Sequence, residues 1–181
     1  MKILITGHKG FIGQHAVEKC QSLNIPYITY EWGEPYPDLL GVTHAMHFGA
    51  ISSTTETDVE KVMRQNYDCS LRLLVDCDYR SIHMQWSSSA SVYGLGDVFT
   101  EDAPVDPRTP YAWSKYLFER FCNKNKGLNI PVQGFRYFNV YGDKGEDHKG
   151  DQASPYHKFR KQATETGVLR IFEGSENYLL H

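Results

Sequence analysis

The chain has 181 residues, 40% of them hydrophobic, and a formal net charge of −3. That length suits one domain, or one domain with part of a second. The charge sets up no basic field for nucleic acid or an anionic membrane, and no apolar run approaches the ~20 residues of a membrane span.

The opening residues, MKILITG, read as a buried strand rather than a signal peptide, because a glycine-rich turn follows at once. Residues 11–23 carry a helical pattern, with Phe11, Ile12, Ala16, Val17, Cys20 and Leu23 on one face. A second strand follows at 26–30, completing a βαβ unit and implying a parallel sheet with a right-handed crossover. Further strands are expected at 43–48, 82–87 and 131–137, and helices at 57–77 and 111–126. Strand and helix alternate up to residue 142, the signature of a doubly wound α/β sheet. Beyond it the chain is polar, with a helix near 155–166 and a short strand near 168–172 expected. The reading is therefore one α/β domain over 1–142 and a separate region over 143–181. Four cysteines, Cys20, Cys69, Cys77 and Cys122, form no CxxC pair and are expected as reduced thiols in a cytosolic protein. The eight histidines show no metal-ligand spacing, so no metal site is expected.

Thr6-Gly7-His8-Lys9-Gly10-Phe11-Ile12-Gly13 lies between the first strand and the first helix. Gly7 allows a sharp turn, Gly10 a close approach of backbone to a pyrophosphate, and Gly13 tight helix–strand packing. The helix N-terminus, at Phe11 and Ile12, adds N–H groups and a positive dipole. Glu31 ends the second strand, where an acid accepts from the adenosine ribose hydroxyls and favours NAD. Lys9 argues the other way, since an ammonium there could face a 2′-phosphate. The cofactor is left as NADP or NAD.

Ser87-Ser88-Ser89-Ala90-Ser91-Val92-Tyr93-Gly94 follows a predicted strand, and Tyr111-Ala112-Trp113-Ser114-Lys115 opens a predicted helix. Tyr111 and Lys115 share a helix face, and a nearby ammonium would lower the phenol pKa and make Tyr111 a usable acid/base. Lys115 could also reach the nicotinamide ribose, and a strand-end serine could hold the reacting oxygen. Trp32, Trp86 and Trp113 read as core or pocket lining. Asp97, Glu101 and Asp102 read as a solvated loop.

In this order, TGxxGxxG, SSSxxxYG and YxxxK resemble the extended short-chain dehydrogenase/reductases. That resemblance implies a Rossmann-type cofactor domain with a smaller C-terminal nucleotide-sugar domain. It carries over Ser89, Tyr111 and Lys115 as the catalytic triad. It places His47, Gly49 and Ala50 along the cofactor and gives Asn66 a supporting place. Further stretches (Gly49 to Thr57 with Ser52, Gly134 to Gly142 with Asn139, His148-Lys149-Gly150, and Phe172 to Asn177) are similar to the ADP-glycero-manno-heptose 6-epimerase branch. The chemistry so implied is redox epimerisation at C6″ of a nucleotide sugar, with Tyr111 and Lys149 as the two acid/base groups. Ser52, Ser88, Ser89, Asn139, His148 and Lys149 would then meet the ADP-heptose substrate. The resemblance also implies a homo-oligomer packed through the two long helices. Two departures stand against the pattern. Residues 32–42 look like a loop where the family places a further strand that packs on the adenine, and the substrate domain is only a stub. Alternative readings are another sugar-nucleotide epimerase, dehydratase or reductase, or a catalytically silent cofactor-binding or assembly module.

Overall fold

The computed structural model describes residues 1–142 and 146–171, and of residues 148, 151 and 152 the backbone alone. Contacts group the chain into two units, Met1–Phe138 and the residues from Asn139 onward.

The first unit is a five-stranded sheet, β1 (Ile3–Thr6), β2 (Tyr27–Tyr30), β3 (His44–His47), β4 (His83–Ser89) and β5 (Val132–Tyr137). Its order is β2-β1-β3-β4-β5, and every neighbouring pair is parallel. This is the doubly wound α/β arrangement expected, with the chain reversing direction beside β1 and leaving a ligand crevice at the strands' carboxyl ends. Helix α1 (Phe11–Ser22) covers one face. Ile3, Ile5 and Cys20 are buried there, against Ala16, Val17 and Met46. On the other face Leu4, Leu73, Leu74, Met84, Trp86 and Phe118 form the larger core.

That second face is built by two helical segments. The first runs as α2 (Val59–Val62), a π-helical turn (Met63–Asp68) and α3 (Cys69–Tyr79). Its start is set by Asp58, whose carboxylate accepts from the Lys61 N–H. The second, α4 (Pro110–Lys124), starts at Thr109, whose hydroxyl accepts from the Ala112 N–H, with Pro110 in the first turn.

No strand lies between β2 and β3, so β2 is a sheet edge. The connecting residues 31–43 form a loop that sends Leu39 and Val42 into the main core. The second unit contains a short 3₁₀ helix (Asp147–Gln152) and α5 (Pro155–Thr166), capped by Ser154. Residues 168–171 carry no strand, contrary to the pattern expected near 168–172. Val168, Leu169 and Ile171 are all exposed, and residue 172 lies outside the described residues. Among the described residues no helix is long and apolar enough to cross a membrane.

Candidate active site

The glycine turn is shaped by contacts that only glycine permits. Gly7 has φ +70°, and a Cβ there would lie 2.5 Å from the Gly49 nitrogen. A Cβ on Gly13 would lie 2.0 Å from the Gly7 carbonyl oxygen. Gly10 is the N-cap of α1, and no side chain caps that helix end. Bare backbone at a helix N-terminus is the cradle an anionic pyrophosphate needs, so the residues present fit a dinucleotide.

Beside the turn, the Glu31 carboxylate accepts from the Lys9 N–H at 2.7 Å and lies 3.5 Å from His8 Nδ1. The Lys9 ammonium reaches Glu34 at 2.8 Å. That hydrogen bond to Glu34 raises the Lys9 pKa and lowers the Glu34 pKa. The cation considered for a 2′-phosphate is thus already matched by a carboxylate.

His47 is buried, and its hydrogen bonds fix a single proton arrangement. The Ser70 hydroxyl donates to the Asn66 carbonyl, so Ser70 Oγ must accept from His47 Nε2–H at 2.8 Å. His47 Nδ1 then accepts from the Thr6 hydroxyl at 2.6 Å, and Thr6 Oγ1 accepts from the Gly49 N–H at 3.1 Å. Burial, helped by the charge of Lys115, pushes the His47 pKa down to about 3, so the ring stays neutral. His47 thus spends Nδ1 on Thr6 of β1 and Nε2 on Ser70 of α3, tying its own strand, β3, to both behind the turn.

Asn66 sits in the π-helical turn, a geometry that recurs at functional sites. Its amide donates to the Ile51 carbonyl at 3.0 Å and to Ser114 Oγ at 3.1 Å, and its oxygen accepts from the Ile51 N–H at 2.8 Å. Ser114 in turn donates to the Tyr111 carbonyl at 2.7 Å. Asn66 therefore ties the loop after β3, which carries Gly49, Ala50 and the exposed Ser52, to the first turn of α4.

Ser89, Tyr111 and Lys115 come together where β4 ends and α4 begins. Ser89 caps the 3₁₀ turn Ala90–Tyr93, accepting from the Ser91 N–H at 3.1 Å. The fully buried Lys115 ammonium donates to the Ser87 carbonyl at 2.8 Å and lies 5.8 Å from the centre of the Tyr111 ring. Burial pushes the Lys115 pKa down to about 8. The Tyr111 pKa is raised by burial, against the opposing effect of its hydrogen bond with Ser89. This is the reverse of the direction expected from the Tyr–Lys spacing. Desolvation disfavours both charged forms, and the ammonium is spent on a carbonyl rather than on the phenol oxygen.

Ser88 points away from this cluster. Its hydroxyl donates to buried Glu119, which also holds Arg136 in a two-pronged pair with contacts of 2.7 and 3.0 Å. The Arg136 guanidinium packs over the Tyr93 ring at 4.8 Å. Glu119 and Arg136 were not singled out from sequence, because a pair joining a helix to an edge strand leaves no local pattern.

In the second unit, Asn139 is exposed and Lys149 lies 3.9 Å from the buried carboxylate of Glu146. Burial alone would raise the Glu146 pKa, but bonds from Ser154 N–H (2.8 Å), Ser154 Oγ (3.0 Å) and Gly142 N–H (3.0 Å) lower it overall. The His148 side chain and residues 172–177 lie outside the described residues. Among the described residues no group of His, Cys, Asp and Glu could hold a metal ion.

A parallel sheet with a glycine cradle at β1 and a Ser–Tyr–Lys cluster at β4 and α4 defines a nicotinamide-dinucleotide type of α/β protein. The chain belongs to the NAD dependent epimerase/dehydratase family, whose model matches residues 33–177. It is 43% identical to an ADP-L-glycero-D-manno-heptose-6-epimerase from Alkalilimnicola ehrlichii, over 77% of this chain and 44% of that protein. It is 36% identical to an enzyme of the same name from Brachyspira hyodysenteriae, over 98% of this chain and 66% of that protein. The crystal structure of the Helicobacter pylori ADP-L-glycero-D-manno-heptose-6-epimerase superposes with a TM-score of 0.84 at 26% identity, covering 95% of this chain and 65% of that one. The chain thus spans about half to two thirds of the length of these relatives.

Proposed function

We propose that this chain binds a nicotinamide dinucleotide and epimerises a nucleotide sugar, with ADP-glycero-manno-heptose as substrate and C6″ as the inverted centre. The observation that carries this reading is the cluster of Ser89, Tyr111 and buried Lys115 on the unit whose β1 turn leaves α1 uncapped. Names of the relatives supply the substrate class.

When bound, the dinucleotide supplies the hydride acceptor and donor. The chain's own residues do the rest. Tyr111 Oη takes the proton of the sugar hydroxyl as the carbonyl forms and returns it as the alcohol re-forms. Ser89 holds that oxygen and, through its bond to Tyr111, favours the phenolate. Lys115, with a pKa near neutrality, adjusts charge beneath the phenol while the Ser87 carbonyl fixes its position. Asn66 and Ser114 keep the Tyr111 backbone in register with the loop after β3. Lys149 is the second acid/base group of this reading; within its own unit it lies 3.9 Å from the Glu146 carboxylate. A homo-oligomer packed through Val59–Tyr79 and Pro110–Lys124 belongs to the same reading.

The test is conversion of one 6″-epimer of ADP-glycero-manno-heptose into the other. Wild-type protein should convert it and Tyr111→Phe should lose about 10²–10⁴-fold in rate. Bound dinucleotide without any conversion would reduce the chain to a cofactor-binding module.

A further inference from the structure

Tyr111, Lys115 and Glu119 follow one another at intervals of four along α4, so they share one helix face. All three meet the consecutive serines that end β4. Lys115 donates to the Ser87 carbonyl at 2.8 Å, the Ser88 hydroxyl donates to the Glu119 carboxylate, and Ser89 bonds to Tyr111. Glu119 has no part in the chemistry above, yet its side chain is buried. A carboxylate taken out of water is costly unless a cation meets it. Here that cation is Arg136 on β5, with contacts of 2.7, 3.0 and 3.2 Å to the two carboxylate oxygens. A charged, two-pronged pair of this kind fixes direction as well as distance.

The pair grips the chain on both sides of Ser89. Before it, Ser88 is held through its hydroxyl. Successive side chains of a strand point to opposite faces, so fixing Ser88 also fixes the direction in which Ser89 leaves β4. After it comes the 3₁₀ turn Ala90–Tyr93, which Ser89 caps by accepting from the Ser91 N–H at 3.1 Å. That turn ends on the buried ring of Tyr93, and the Arg136 guanidinium lies 4.8 Å from the ring's centre. Tyr93 Oη donates to the Thr100 carbonyl at 3.0 Å, and Arg136 Nη1 donates to the neighbouring Glu101 carbonyl at 3.4 Å. One ion pair thus joins α4, β5 and both flanks of the Ser89 backbone.

We propose that Glu119 and Arg136 are positioning residues for the epimerisation: acting through Ser88 and Tyr93, the pair holds the Ser89 hydroxyl against the Tyr111 phenol. The inference rests on the epimerase reading above. A pair that only stabilised the fold would leave the Ser89–Tyr111 contact unchanged when loosened, whereas a positioning pair would not.

The test compares Ser88→Ala, Arg136→Lys and Glu119→Gln with Ile82→Ala, a control that opens the buried core just before β4. Two quantities are read. One is kcat and KM for conversion of the 6″-epimers of ADP-glycero-manno-heptose. The other is the titration of Tyr111 in fluorotyrosine-labelled protein by fluorine NMR, assigned with Tyr111→Phe. Each of the three variants should lose about tenfold or more in kcat, with KM within about twofold of wild type. The Tyr111 signal should titrate at higher pH in each, because the Ser89 bond that lowers its pKa is loosened. Ile82→Ala should move neither quantity. Arg136→Lys keeps the charge and Ser88→Ala keeps the ion pair, so these two decide the matter should Glu119→Gln fail to fold. An unmoved Tyr111 titration or an unchanged kcat in both, or an equal change in Ile82→Ala, would overturn the positioning role. A wild-type protein that never converts the epimers would sink the epimerase reading, and the Tyr111 titration would still decide whether the pair holds Ser89 in place.

Discussion

Replacing Lys115 with Met should change how stability depends on pH, in a direction set by burial. The ammonium is fully buried, and its pKa falls from 10.5 to about 8, almost entirely through desolvation. At about 1.4 kcal/mol per pH unit, that drop corresponds to roughly 3 kcal/mol. The sign follows from proton counting. Between pH 8 and 10.5 the unfolded chain holds the Lys115 proton and the folded chain does not, so this group adds stability as pH rises through that window. Below pH 8 both states are protonated, and the full cost of burying the charge is present. Met fills the same apolar stem without the charge, at the loss of the hydrogen bond to Ser87. Urea unfolding of cofactor-free wild type and Lys115→Met at pH values across the window isolates the effect in their difference. This matters because several tyrosines and cysteines with raised pKa values, such as Cys122 at about 11, titrate nearby and oppose it. The stability of the variant relative to wild type should be about 3 kcal/mol more favourable at the low end of the window than at the high end. A difference that stays flat with pH would refute the claim that desolvation sets the Lys115 pKa.

Three further outcomes follow from the geometry. Gly13→Ala places a Cβ 2.0 Å from the Gly7 carbonyl oxygen, where only backbone could move, so it should cost about 2 kcal/mol or more in chemical denaturation and abolish dinucleotide binding. Glu119→Gln leaves Arg136 and Ser88 without their carboxylate in a mostly buried site, and the expected loss is about 3 kcal/mol by the same measurement; a change near zero would show the pair to be solvated. Glu34→Gln frees the Lys9 ammonium, and the ratio of NADP to NAD affinity should rise about two- to fivefold in titrations, the scale of an exposed ion pair; an unchanged ratio would place Lys9 away from the ribose.

What could be read from sequence was whatever is local and periodic. Alternating apolar runs located all five strands to within one or two residues, and the helices at Phe11–Ser22 and Pro110–Lys124 nearly as well. The glycine turn and the Tyr111–Lys115 pair stood out as candidates because the first lies in one turn and the second on one helix face. The irregular stretch 32–42 also read correctly as a loop. Features that depend on distant partners stayed hidden. Nothing in residues 57–77 signals that Met63–Asp68 winds as a π turn, since its apolar stripe fits an α-helix as well. The protonation of His47 depends on Thr6, Ser70 and Asn66 at once. The Tyr111 pKa direction failed for a similar reason. Spacing places the lysine close by, but the Ser87 carbonyl that captures it lies on another strand. Trp32 was legible only as core or pocket lining, and the cavity it lines with Tyr36, Arg64 and Arg72 depends on how residues 31–43 fold beside β2.

Redox epimerisation is tested most directly by following a deuterium label placed at C6″ of ADP-glycero-manno-heptose through one turnover, with product read by NMR. The account predicts inversion at C6″ with the label retained on that carbon, because the hydride that leaves is the one that returns, and inversion slowed about 10²–10⁴-fold in Tyr111→Phe. Inversion with the label lost to water, or no inversion by a protein shown to carry its dinucleotide, would contradict it.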